Sequence, residues 1–161
     1  MKRLIAALVF AVSPSAAFAE NCDQWRAAME DTEGGRVMTA EVCSSSPNAN
    51  HILSTTCSGT DYFFRWFVPD DTPDFPPGGG EEFQTRVVIG VEGQTQQLDA
   101  QFSPMDGAME IQLARKSAVA KALKSGSAVT LKAESQALPS ATFSLAGSSK
   151  ALARLEATCA R

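Results

Sequence analysis

The chain reads as a mainly β domain of the α+β kind: one antiparallel β-sandwich or strongly curved sheet with two or three short helices on one side. Three observations predict this. Segments with alternating polarity outnumber those with helical period. The segments on either side of a proline–glycine stretch are both strand-like, so one sheet can continue across it. Four cysteines, an even number, are spread from Cys22 to Cys159 and can staple a fold of this size.

In chain order, Asn21–Asp31 (NCDQWRAAMED) has Trp25, Ala28 and Met29 at i, i+3 and i+4, with Gly34-Gly35 beyond, which predicts a helix. Arg36–Cys43 alternates and predicts a strand, and Ser44–Asn50 (SSSPNAN) predicts a turn. His51–Cys57 and Thr60–Val68 follow as strands, the second rich in aromatic residues. Gln84–Glu92 sets Thr85, Val87, Ile89 and Val91 on one face. Gln94–Phe102 does the same with Leu98, Ala100 and Phe102, and Met109, Ile111 and Leu113 mark another strand. Lys116–Ser125 changes to helical period, with Gly126 at its end. Ala128–Ala133 and Thr142–Leu145 return to strands. Ser148-Ser149 then cap a last helix, Lys150–Thr158, whose apolar face carries Leu152, Leu155 and Cys159.

The stretch VPDDTPDFPPGGGEEF, Val68–Phe83, holds four prolines, three successive glycines and five carboxylates. A linker needs a foldable unit on each side, and the N-terminal piece is too small to stand alone. Residues 69–82 are therefore expected to be a long, exposed acidic loop inside a single domain spanning 20–161. The order of the carboxylates does not fit a calcium-binding loop.

Residues 1–19 read as an export signal. Lys2 and Arg3 precede the apolar run Leu4–Val12, and Ala17-Phe18-Ala19 supplies a cleavage site. Nine apolar residues rise only about 14 Å as a helix, too short for a hydrocarbon layer of about 30 Å, so no membrane span is expected. Removal of this segment leaves 142 residues. It takes two basic residues and no acidic one, so the net charge moves from −4 to −6. An acidic chain is a poor partner for nucleic acid or an anionic lipid surface. The expected localisation, periplasmic or secreted, is oxidising, so the cysteines are expected as two disulfides rather than a metal site. There is no CxxC, and His51 has no ligand-spaced partner. Of the three pairings, Cys43–Cys57 is disfavoured because the two would not face each other across a hairpin turning near Asn48. The favoured pairing is Cys22–Cys43 with Cys57–Cys159, and peptide maps with and without reductant distinguish the three.

No catalytic pattern is present: no GxSxG, HExxH or SxxK, and no phosphate-cradling glycine loop. The expectation is a non-enzyme without cofactor or metal, and His51 reads as a polar residue at the edge of a turn. The stretch with the composition of a binding hot spot is TDYFFRWFV, Thr60–Val68. Alternation puts Tyr62, Phe64, Trp66 and Val68 on one face and Phe63, Arg65 and Phe67 on the other. The second face either lies under another layer, with Arg65 stacked on an aromatic or paired to a carboxylate, or forms an exposed contact patch.

Met109–Cys159 (MEIQLARKSAVAKALKSGSAVTLKAESQALPSATFSLAGSSKALARLEATC) resembles the invasion-associated locus B family of exported bacterial proteins. It is also similar to the periplasmic type VI secretion accessory proteins typified by VasI. The best element is Phe143-Ser144-Leu145-Ala146-Gly147 followed by Leu152, Leu155 and Cys159. This motif marks a strand turning into a helix, so the resemblance implies a fold and an envelope or host-facing context, with no catalytic residue to carry over. The resulting expectation is an exported, disulfide-bonded protein acting by contact with a protein partner. Inhibition of an envelope-directed hydrolase such as lysozyme and a type VI secretion accessory role are the alternatives.

Overall fold

The computed structural model describes residues 22–44, 50–79 and 82–159. The export segment and most of the SSSPNAN turn lie outside them. Nine strands form one antiparallel sheet: β1 (Arg26–Thr32), β2 (Gly35–Cys43), β3 (Ile52–Ser58), β4 (Asp61–Phe67), β5 (Gln84–Val91), β6 (Gln94–Ser103), β7 (Ala108–Ala114), β8 (Ala128–Ala133) and β9 (Ala141–Ser144). Two helices complete it, α1 (Ala118–Ala122) and α2 (Ser148–Cys159). The spatial order is β1-β2-β3-β4-β7-β6-β5-β8-β9.

This order explains the proline–glycine loop. Strands β5, β6 and β7 fold back as a meander that ends beside β4, a Greek-key arrangement. The chain leaving β4 must therefore pass β7 and β6 to reach β5, about 14 Å at three strand spacings. The loop makes that crossing and is more firmly held than its composition predicts. Asp70, Asp71 and Asp74 are exposed, but Phe75 packs edge-to-face on Phe83 and Phe102, with ring centroids 5.9 and 5.5 Å apart. Phe102 N–H also donates to the Phe83 carbonyl at 2.9 Å. These acidic residues thus stand exposed, and the addition to the sequence reading is the aromatic anchor, Phe75.

The sheet curls until its two ends meet. Trp25, just before β1, donates its backbone N–H to Ala146 O and its indole N–H to Ser144 O, both at 2.9 Å. Ser44 bridges Phe143. One core fills the inside of the curl, where Tyr62, Phe64, Trp66, Val87, Ile89, Met109, Ile111, Leu113 and Phe143 meet the apolar faces of both helices. Alternation had assigned the β4, β5 and β7 members of this set to their inner faces, and they are there.

The predicted N-terminal helix is not formed. Residues 26–32 are strand β1, paired residue by residue with β2 from Arg26↔Glu41 to Thr32↔Gly35. Ala28, Met29 and Glu30 favour helix in isolation, but the indole of Trp25 is tied to the β9–α2 corner, and Glu33-Gly34 form a two-residue hairpin turn closed by the Thr32↔Gly35 pair. Long-range pairing overrides a weak local preference. Helix α1 is shorter than Lys116–Ser125. Ser117 caps it, its hydroxyl accepting from Ala120 N–H at 3.1 Å.

Cys22 is joined to Cys43 and Cys57 to Cys159, with Cα–Cα distances of 5.0 and 5.7 Å. The favoured pairing rested on the expected N-terminal helix running back along the first strand and bringing Cys22 to Cys43, and that helix is not formed. Instead the chain before β1 lies against the end of β2, where Cys43 N–H donates to Cys22 O at 2.7 Å.

Candidate functional site

Strand β4 places Phe63, Arg65 and Phe67 on the outer face of the sheet, opposite the core. Both helices add their apolar faces to the core, so no described layer covers this strip. Of the two expectations for this face, the described residues thus leave the uncovered one. All three residues are half-buried by their neighbours on the same face. Phe63 lies between Thr56 of β3 and Gln112 of β7, Arg65 between Ser54 and Glu110, and Phe67 between Ile52 and Ala108.

Arg65 is both stacked and paired. Its Cζ lies 5.2 Å from the centre of the Phe63 ring. Its Nε is 3.5 Å from Asp106 Oδ2 and 3.8 Å from Glu110 Oε1. Those separations carry attraction between charges without a well-formed hydrogen bond, and Arg65 Nε is a buried atom that makes none. Asp106 is itself positioned by the Ser103 hydroxyl, 3.0 Å away, across the β6–β7 turn. Glu110 has its carboxyl pKa raised by burial and by the nearby Asp106 charge, with Arg65 acting in the opposite sense.

The strip forms the divide between two grooves on the outer face. Phe63 lines the first, which crosses β7, β6 and β5 among Gln112, Glu110, Gln101 and Arg86. An Arg86–Glu134 ion pair at 3.1 Å and a Gln97–Glu134 hydrogen bond at 2.6 Å close its rim. Arg65 and Phe67 line the second, which runs over β3, β2 and β1. A row of paired residues runs across most of the face: Arg26–Glu41–Ser54–Arg65–Glu110–Gln101–Gln84.

His51 is not a turn-edge residue. It is 1 % exposed, and its Nδ1 accepts the indole N–H of Trp66 at 3.2 Å. Burial lowers its pKa, against a backbone hydrogen bond at Phe67 that raises it. Its place is structural support beneath β4. Among the described residues no group of three or more His, Cys, Asp or Glu is placed to hold a metal ion, and no helix is long and apolar enough to cross a membrane. The sequence reading missed Asp106 and Glu110. Glu110 was legible as the outward residue between Met109 and Ile111, but not that β7 would lie beside β4.

These features define a class: a one-sheet antiparallel β domain, closed on itself and fastened by two disulfides, with both helices on the inner side. The fold is similar to that in the crystal structure of invasion associated protein B from Bartonella henselae, with a TM-score of 0.56 at 15 % identity. The match covers 88 % of this chain and 98 % of that one. No protein-family model matches the chain, and no curated protein matches its sequence.

Proposed function

We propose that this is an exported, oxidised protein that acts outside the cytosol by contact with a protein partner rather than by catalysis. The observation that carries the reading is the aromatic–arginine strip, Phe63, Arg65 and Phe67, at the centre of a sheet face that no described layer covers. Aromatic residues and arginine are enriched at binding hot spots: aromatic rings present large, rigid contact area, and a guanidinium combines a flat stacking face with five donors. Support for export comes from the N-terminal Lys2-Arg3, Leu4–Val12 and Ala17-Phe18-Ala19 pattern, and from two disulfides suited to an oxidising compartment. The fold shared with a protein named for invasion favours an envelope or host-facing setting.

The test is affinity capture from periplasmic extract with wild-type protein and with a Phe63→Ala/Arg65→Ala/Phe67→Ala variant. Loss of a wild-type partner with the variant is expected. Equal recovery from both proteins removes the strip as a contact site.

A further inference from the structure

The second groove differs from the first in its charge and in its border. It gathers the carboxylates of Glu30, Glu33, Glu41 and Asp106 around Val37 and Met105. Glu41 is shared with Arg26 and Asp106 with Arg65, whereas Glu30 and Glu33 stand at the outer end of the groove beside the β1–β2 turn. Exposed apolar surface concentrates here too. Among the described residues three large apolar side chains are exposed, at 38 % for Met29, 37 % for Val37 and 96 % for Met105. Two line the groove, and Met29 belongs to β1 beside it.

Among the described residues, strand β1 is the last strand at this end of the sheet and pairs only with β2. Its residues from Ala28 to Thr32 are all exposed. An edge of this kind is a template for an added strand. The two faces of β1 then specify the side chains that strand needs. Arg26 and Glu30 point to the outer face, so Met29 points to the inner one, as its pairing with the buried Met38 requires.

From this geometry we infer that the β1 edge and the adjoining acidic groove bind an extended polypeptide whose basic and apolar residues alternate. Its basic side chains lie on the outer face toward Glu30 and Glu33, with their aliphatic stems over Val37 and Met105. Its apolar side chains lie on the inner side and cover Met29. A second copy of this chain is a poorer occupant, because it would bring the same carboxylates and a net charge of −4 or lower. An anionic lipid surface is repelled for the same reason. The inference rests on the protein-contact reading and adds the class of partner and the half of the face it uses.

The probe is a fluorescently labelled peptide of alternating lysine and valine, with its glutamate–valine counterpart as control. Fluorescence anisotropy is expected to show saturable, salt-sensitive binding of the lysine peptide only. Glu30→Lys/Glu33→Lys is expected to weaken it about tenfold, and Met29→Ser several-fold. Asp70→Lys/Asp71→Lys makes the same change of charge in a distant loop and is expected to leave it unchanged. Backbone hydrogen exchange is expected to slow over Ala27–Thr32 on binding. No binding, equal loss with the distant charge reversal, or slowing on β5 and β6 instead of β1 each overturns the inference. So does concentration-dependent dimerisation that buries β1 and excludes the peptide. Partner capture by the Phe63/Arg65/Phe67 strip is read separately, so the protein-contact reading survives or fails by its own result.

Discussion

Tyr62 on β4 donates its phenolic hydrogen to Glu156 on α2 at 2.5 Å, so a polar contact made at the core ties the central strand to the terminal helix. Lys124, just beyond α1, completes the connection, with its Nζ 2.6 and 2.7 Å from the two Glu156 oxygens. Burial raises the Tyr62 pKa, and the hydrogen bond to Glu156 and that residue's charge raise it further. For Glu156 burial acts upward, but hydrogen bonds from Lys124 and Tyr62 outweigh it, and the carboxyl is held below its ordinary value. The phenol therefore stays a donor and the carboxylate an acceptor over the physiological range.

Removing the phenol tests this relationship. Tyr62→Phe keeps the packing and deletes the donor, with an expected cost of about 1 kcal/mol in urea unfolding, because Glu156 retains Lys124 and some solvent contact. Since the folded carboxyl has the lower pKa, its stabilisation is present above the unfolded value near 4.5 and is lost as pH falls through the folded one. Glu156→Gln is expected to flatten the acid limb of the stability profile. An unchanged limb would show that Glu156 does not contribute to it.

A second pH effect has its source in His51. Its folded pKa is below the ordinary 6.5 because burial disfavours the imidazolium. Between the two values the unfolded chain binds more protons, so stability falls as pH drops below about 6.5. Protonation also removes the Nδ1 lone pair that accepts from Trp66. His51→Gln offers an acceptor without titrating, and its stability is expected to vary less with pH between about 5 and 6.5 than that of wild type. Parallel profiles would sink this assignment.

The two disulfides close loops of different length, with sequence separations of 21 and 102. In the chain-entropy account the longer loop contributes more, about 4.7 kcal/mol against about 3.3. Cys57→Ala/Cys159→Ala is therefore expected to lower the urea midpoint more than Cys22→Ala/Cys43→Ala. The reverse order would place the difference in native-state contacts instead.

Gly126 follows α1 where two core side chains approach the backbone. A Cβ there would stand 2.6 Å from Val91 Cγ1 and 3.2 Å from Leu145 Cδ1. Gly126→Ala is expected to destabilise by about 1–3 kcal/mol through overcrowding. Trimming Val91 to Ala in the same chain is expected to recover part of that loss, a non-additivity that thermal or urea unfolding of all four proteins measures. Strict additivity would exclude a steric cause.

Alternation along the chain determined the β-rich class, the inner faces of β4, β5 and β7, and the placing of Phe63, Arg65 and Phe67 on the face opposite Tyr62, Phe64 and Trp66, because the period of a strand is a local property of the backbone; whether another layer covers that face was left open. It also located both formed helices, with α1 drawn too long. Local pattern misread residues 26–32, since Ala28 and Met29 carry helical preference while the pairing that makes them a strand comes from Glu41, Ala40, Thr39 and Met38. Only the tertiary structure decided that β7 lies beside β4, which delivers Asp106 and Glu110 to Arg65, and that the sheet curls until Trp25 reaches Ser144. Only it could show that Phe75 anchors the acidic loop and that His51 is buried under Trp66. These contacts join residues far apart in sequence, and strand order is set by how the whole apolar surface can be enclosed, a quantity that no single segment carries.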